Sequence, residues 1–352
     1  MNVSIIGATG HCGRQLTVQL LDERLLPPTA RIQLVGHHGG SSEHALWGLR
    51  ADLEDAFVDD APSIEVVLDP EAVDGDLVVM LAGATVSDDP NATIDRAALG
   101  KKNRDIFITY ADALAARPGP PPVVIVQSNP VELGVQIFAD RLGFSRVLGA
   151  GAVSDSLRLR AELAADLGVA RPWVSTFMLG QHGDFAVPLW SQLRVSGVSA
   201  AAVAAFSENV RAGRRLADFP DESRTHKGQM LKLIRAGQVT EAYAYIQGIA
   251  PDLRAVVKPF FTHFTTGGHT TEIATAHSVI ELIRIFVSNK QSVIPAQVAL
   301  NGQWLDIHGV VGAPIITGPD GWASIYPLAL SPEETEAVVS AADAIAAANK
   351  AY

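Results

Sequence analysis

The sequence predicts an α/β chain, with a doubly wound parallel sheet over residues 1–145 and an α+β region over residues 146–352. Three observations predict it. Continuously apolar runs alternate with amphipathic stretches through the first region, the rhythm of parallel strands covered by helices on both faces. Those runs stop at Gly7, Gly36, Gly83 and Ser128, which puts their carboxyl ends along one edge, where such sheets bind ligands. Finally, 48% hydrophobic against 18% charged residues over 352 positions supplies cores for two domains and excludes disorder as the main state.

In chain order, Val3–Ile6 is the first strand, followed by a helix from about Gly13 to Leu21. Ile32–Val35 leads to a helix from about Glu43 to Asp55, and Ser63–Val67 is the third strand. Asp76–Leu81 precedes a helix through Arg96 to Ala115, and the stiff Arg117–Pro122 loop feeds a strand ending at Val126. The second region opens with a strand at Arg146–Leu148, a helix from about Asp155 to Leu167 and a strand at Trp173–Met178. Two or more helices are expected between Ala200 and Ile285, then strands near Ser292–Leu300, Ile315-Ile316 and Ala323–Tyr326. A last helix spans about 331–349: Ser331 can cap it, Pro332 suits its first position, and Glu333 and Glu334 meet its dipole.

The formal charge of −11 argues against nucleic acid as a partner, because phosphate binding needs a concentrated basic surface. No apolar run is long enough to span a bilayer, so no membrane partner is expected. A single cysteine excludes an internal disulfide framework and a cysteine-rich metal site, and suits the cytoplasm.

Gly7-Ala8-Thr9-Gly10-His11-Cys12-Gly13 lies between a strand and a helix. Gly7 permits the sharp turn, Gly10 lets backbone amides approach a pyrophosphate, and Gly13 lets the helix pack on the strand, so the loop predicts a dinucleotide. Cys12 is expected to pack as a small apolar residue. At the end of the second strand, where an Asp or Glu would accept bonds from the adenosine ribose, the chain reads Gly36-His37-His38-Gly39-Gly40-Ser41-Ser42. Gly36 removes the negative charge, and His37, His38, Ser41 and Ser42 can donate to a 2′-phosphate, which predicts NADP, with NAD as the alternative. The His37-His38 pair has no third ligand nearby, so no metal is expected.

His182 stands in Gly180-Gln181-His182-Gly183-Asp184 at a strand exit. Asp155 and Arg158 lie three apart on one helix face, Asn129-Pro130 ends a strand on the ligand edge, and Arg96 lies on a helix. Together these segments resemble the lactate/malate dehydrogenase family. The resemblance runs in family order through the glycine loop, Asp95–Asn103, Ser128–Glu132, Ser154–Arg160 and Gly180–Asp184. It implies a Rossmann domain, a small 2-oxo/2-hydroxy acid substrate and a homodimer or homotetramer. It also implies roles. His182 would exchange the proton with the substrate oxygen, and Asp155 would orient its ring. Arg158 would clamp the substrate carboxylate with a two-pronged bond, and Arg96 would polarise the carbonyl. Asn129 would bond the substrate oxygen beside the nicotinamide, Asn103 would line the cofactor site, and Thr270 would line the substrate pocket, with Thr271 as the other register.

Malate enzymes of that family place a second Arg on the closing loop. Here Gly83–Asp95 has none, so a second substrate carboxylate would face Asp88 or Asp89 unless it is held from elsewhere, which puts oxaloacetate in doubt. The loop alone predicts no marked preference for oxaloacetate and hints at a polar or cationic substituent; malate dehydrogenase proper is the alternative. An insertion relative to the family is expected between about Ile234 and Gly267, and Gln181 replaces the usual Glu before the histidine. A short-chain dehydrogenase would need Tyr followed four residues later by Lys, a spacing that Tyr110, Tyr243, Tyr245 and Tyr326 do not meet. An inactive dinucleotide sensor would not need the joint presence of His182, Asp155, Arg158, Arg96 and Asn129.

Overall fold

The computed structural model describes residues 1–85, 87–92, 96–268 and 271–352, and the side chains of all of these but 40, 41 and 96–98. Thr270 and the side chains of Arg96 and Ser41, all expected in the site, lie outside the described set. The first half runs β1 (Val3–Ile6), α1 (His11–Asp22), β2 (Arg31–Val35), α2 (Gly40–Ala56), β3 (Ser63–Val67), β4 (Leu77–Met80), α3 (Arg96–Ala115), β5 (Val123–Val126), α4 (Val131–Leu142) and β6 (Val147–Gly149). Its strands pair in parallel in the order β3-β2-β1-β4-β5-β6. The order reverses beside β1, between the strands that deliver Gly7 and Gly83. Every residue of β1, β4 and β5 is buried, which is why these strands read as unbroken apolar runs.

The second half continues the same sheet. α5 (Gly151–Leu167) is followed by the short strands β7 (Val174–Ser175), β8 (Met178–Gly180), β9 (Ala186–Pro188) and β10 (Arg194–Val195). Five helices come next: α6 (Ala200–Arg211), α7 (Phe219–Arg235), α8 (Val239–Gln247), α9 (Pro251–Thr265) and α10 (Glu272–Val287). The chain ends with β11 (Val293–Asn301), β12 (His308–Gly318), β13 (Gly321–Ile325) and α11 (Pro332–Ala351). β11 pairs antiparallel with β6 through Gln297 and Gly149, and β12 and β8 extend the sheet beyond it. α10 returns to pack on α1, and the Ser154 hydroxyl meets the Ser278 hydroxyl at 2.6 Å. One helix therefore braces both the nucleotide loop and α5. A second core lies among α5 and α7–α9, around Leu163, Phe219, Met230 and Val257.

Two expectations need correcting. Trp173–Met178 is not one strand, because the chain changes partners at Thr176. The Thr176 hydroxyl donates to the Leu189 carbonyl at 2.7 Å and the Leu189 amide donates to Phe177, leaving β7 in a two-stranded ribbon with β10 while β8 joins the main sheet. The sequence reading also passed over α4. Its polar face is narrow, carried by Gln136, Asp140 and Arg141, and Val131, Val135 and Ile137 favour strand by propensity. The interval expected to be an insertion holds α8 and α9. The last helix starts as expected: the Ser331 hydroxyl accepts from the Glu334 amide, and the Glu334 carboxylate accepts from the Ser331 amide.

Candidate active site

One cavity of about 550 Å³ runs from Gly10–Gly13 past Asn129 and His182 to Phe260 and Thr271. Backbone builds its nucleotide end. Gly7 takes φ +87°, and a Cβ there would stand 2.6 Å from the Ala82 nitrogen, so glycine alone lets this turn close against the end of β4. A Cβ on Gly13 would strike the Gly7 carbonyl, so glycine there seats α1 on the strand. The first turn of α1 carries no acidic residue of its own, and its N-terminus can attract a pyrophosphate. Burial, then the charge of Glu272, pushes the Cys12 thiol up to about 11, as suits a packed, inert residue. The Asn103 amide donates to the Asn129 carbonyl at 2.6 Å, and its oxygen accepts from the Ala84 amide at 2.7 Å. Asn103 thus ties the ends of β4 and β5 together, and Asn129 stands exposed on the cavity. Gln127 lines the cavity with its Oε1 buried and without a protein donor, an acceptor that fits a ligand hydroxyl or amide. These glycines, the helix N-terminus and this orphaned acceptor together fit a dinucleotide.

The second-strand group stands apart from that cavity lining. Gly36 is buried and its carbonyl accepts from the Tyr110 hydroxyl at 3.1 Å. α2 begins at Gly40 rather than near Glu43, so Ser41 and Ser42 fall in its first turn, where amides face outward. The Ser42 and Thr9 hydroxyls lie 3.4 Å apart. Glu43 folds back to accept from the Gly39 amide at 2.8 Å. His37 and His38 do not converge: His37 Nδ1 meets the His38 carbonyl and His38 Nε2 meets Asp69, each at 3.1 Å.

Side chains build the other end. Asp155 is divided between two partners. Its Oδ2 lies 2.7 Å from His182 Nδ1, and its Oδ1 accepts from Arg158 Nη1 at 2.9 Å. Arg158 Nη2 also donates to the Thr271 hydroxyl at 3.2 Å. Of the two registers expected, Thr271 lines the cavity, together with Thr275, Ser128 and Thr85, and Thr270 lies outside the described residues. Burial disfavours charge on both Asp155 and His182, yet their mutual attraction, aided for Asp155 by Arg158, outweighs it. Asp155 is held below the ordinary carboxylate value and His182 above the ordinary imidazole value.

Sequence reasoning missed three supports. The Glu132 carboxylate accepts from the His182 amide at 2.6 Å, and burial pushes its own pKa up against the pull of His182. It follows the Asn-Pro-Val segment, but nothing local says what it will meet. A Cβ on Gly151 would come 2.7 Å from His182 Cβ and Cγ, so the ring packs on bare backbone. Gln297 accepts from the Ala152 amide at 2.9 Å and fixes the start of α5. Glu132 and Gln297 lie 50 and 115 positions from His182, so no local pattern flags them.

A model of the lactate/malate dehydrogenase NAD binding domain matches residues 1–149. The malate dehydrogenase of Methanothermobacter thermautotrophicus is 25% identical over 348 residues, covering 97% of this chain and 94% of that protein. L-lactate dehydrogenase 2 of Staphylococcus aureus is 26% identical over 266 residues, 74% of this chain and 70% of that protein. The lactate dehydrogenase of Cryptosporidium parvum, solved with lactic acid and nicotinamide adenine dinucleotide, shares the fold. Its TM-score is 0.75 at 20% identity, over 99% of this chain and 96% of that one. The chain is thus similar to malate and lactate dehydrogenases over most of its length, and its first 149 residues match the NAD binding domain of that family.

Proposed function

We propose that the protein is a nicotinamide-dinucleotide-dependent dehydrogenase that interconverts a small 2-hydroxy acid and its 2-oxo acid. The observation that carries this reading is the Arg158–Asp155–His182 chain, which opens onto the cavity that begins at the glycine loop. A dinucleotide held at the Gly7–Gly13 loop would supply or take the hydride at the substrate carbon. His182 gives its proton to the oxo oxygen in reduction and takes it from the hydroxyl in oxidation. Asp155 fixes the ring through Nδ1 and stabilises the imidazolium. Arg158 grips the substrate carboxylate, oriented by Asp155 and Thr271. Asn129 bonds the reacting oxygen, and Arg96, at the start of α3, polarises it.

For the cofactor we read a preference for NADP(H). Gly36 in place of a carboxylate, and Ser41 and Ser42 in the first turn of α2, support it. NAD is the alternative, named in the matched domain and bound by the Cryptosporidium enzyme. We read the protein as a cytoplasmic homodimer or homotetramer, on the family resemblance and the single thiol. The test is oxidation of NADPH and of NADH by the purified chain with pyruvate, 2-oxobutyrate and oxaloacetate. Turnover with at least one acid is expected. Cofactor binding without turnover of any acid would overturn the reading in favour of a dinucleotide sensor.

A further inference from the structure

The turn Gly36–Ser42 holds neither Arg nor Lys, and hydroxyl groups alone do not balance the charge of a 2′-phosphate. The fold brings a cation to this turn from the glycine loop. Arg14, the fourth residue of α1, is exposed, and its Nε donates to the Thr9 carbonyl at 3.2 Å. Thr9 is also the residue whose hydroxyl lies 3.4 Å from that of Ser42. Ser42 in turn borders Gly36, where a Cβ would stand 3.3 Å from its hydroxyl. Gly36, Ser42, Thr9 and Arg14 are therefore successive neighbours from the end of β2 to the start of α1. The tether to Thr9 occupies only Nε. Nη1 and Nη2 have no acceptor among the described residues, and no described carboxylate pairs with the guanidinium. That sets Arg14 apart from Arg24, Arg31 and Arg50 in the same half of the chain, which hold Asp60, Asp74 and Glu54, each at 2.8 Å. The carboxylates bonded within the turn, Glu43 and Asp69, go to the Gly39 amide and to His38 instead.

We infer that Arg14 is the residue that selects the phosphorylated cofactor, its Nη1–Nη2 fork gripping the 2′-phosphate beside the Ser42 hydroxyl. This rests on the NADP(H) reading above. A guanidinium suits the task because it stays charged and presents two parallel donors to two phosphate oxygens. The bond from Nε to Thr9 fixes the course of the side chain, so less freedom is lost when the phosphate arrives. NAD offers only a hydroxyl at that place, so the same fork gives it no charge-assisted contact there.

Binding rather than turnover tests it. The probes are NADPH and NADH, followed by cofactor fluorescence, and 2′,5′-ADP and 5′-AMP, followed by calorimetry, each with wild type, Arg14→Met and Arg14→Lys. Wild type should bind 2′,5′-ADP more tightly than 5′-AMP. Arg14→Met should weaken NADPH and 2′,5′-ADP roughly 10- to 100-fold, the worth of one charge-assisted contact, and leave NADH and 5′-AMP within about threefold. Arg14→Lys should keep part of the preference, since the charge stays and the fork goes. Added salt should narrow the ratio of NADPH to NADH affinity in wild type and leave it nearly flat in Arg14→Met. If both dinucleotides weaken alike, Arg14 only shapes the glycine loop or meets the pyrophosphate, and the inference is overturned. It is also overturned if neither weakens. A wild type that binds NADH more tightly than NADPH would sink the NADP(H) reading, while the change in that ratio between wild type and Arg14→Met still decides Arg14. A chain that binds neither dinucleotide overturns both.

Discussion

The two ends of the cavity are made of different materials. At the dinucleotide end the shape comes from backbone: Gly7 and Gly13 matter for the atoms they lack. At the acid–base end it comes from side chains on elements far apart in the chain, with Asp155 and Arg158 on α5, His182 after β8 and Glu132 on α4. The difference teaches where each end is vulnerable. A backbone end tolerates changes that preserve space and φ, whereas a side-chain end fails when one donor or acceptor is replaced, even by something of the same size.

The largest expected effect strikes the side-chain end. His182→Asn should leave cofactor affinity unchanged and lower turnover roughly 10²- to 10⁴-fold, the usual worth of a positioned acid–base group. Single-turnover rates beside cofactor titration check it, and a variant within a few-fold of wild type would remove His182 from its role. Arg158→Lys comes next. Charge survives, but the fork that reaches both Asp155 and Thr271 is lost. We expect kcat/KM for the 2-oxo acid to fall roughly 10- to 100-fold, mostly through KM. An unchanged KM would mean that Arg158 only braces Asp155.

The pH profile sharpens the comparison further. On the proposed role reduction needs protonated His182, whose pKa is raised above the ordinary imidazole value, so the reductive rate should be full at low pH and be lost as pH rises through that raised value. Burial opposes the charge, and Asp155 is what overcomes it. Asp155→Asn should therefore move the falling limb to lower pH, besides lowering the plateau. A limb that stays in place would mean that some other group sets it.

What was legible in the sequence follows the same division. The parallel half could be read because its strands are buried on both faces and its turns are marked by glycine. α4 could not, because its polar face is narrow and its valines and isoleucine favour strand by propensity. His182, Asp155 and Arg158 were visible as segments in family order, yet the division of one carboxylate between imidazole and guanidinium is a tertiary fact. Glu132 and Gln297 left no local signal, since each earns its place only through what α4 and β11 are packed against.

The smallest expected effect is a change of cofactor preference at the backbone end. Wild type should prefer NADPH, because an aspartate at Gly36 would accept from the ribose hydroxyls of NAD and repel a 2′-phosphate. Gly36→Asp should therefore shift the ratio of kcat/KM values toward NADH. The residue has a structural cost that must be separated from its charge. A Cβ at position 36 would come 2.6 Å from Leu46 Cδ1 and 3.3 Å from the Ser42 hydroxyl, and Leu46 is fully buried. The obstacle is the tip of a side chain, so Leu46 can turn aside, at about 1–3 kcal/mol of stability. Gly36→Ala imposes the same crowding without the charge and is the control. If both variants shift the cofactor ratio equally, crowding around Ser42 sets the preference. If only the aspartate shifts it, the missing carboxylate does. A wild type at least about tenfold better with NADH, a difference of about 1.4 kcal/mol, would mean that the turn after β2 plays no part in cofactor choice.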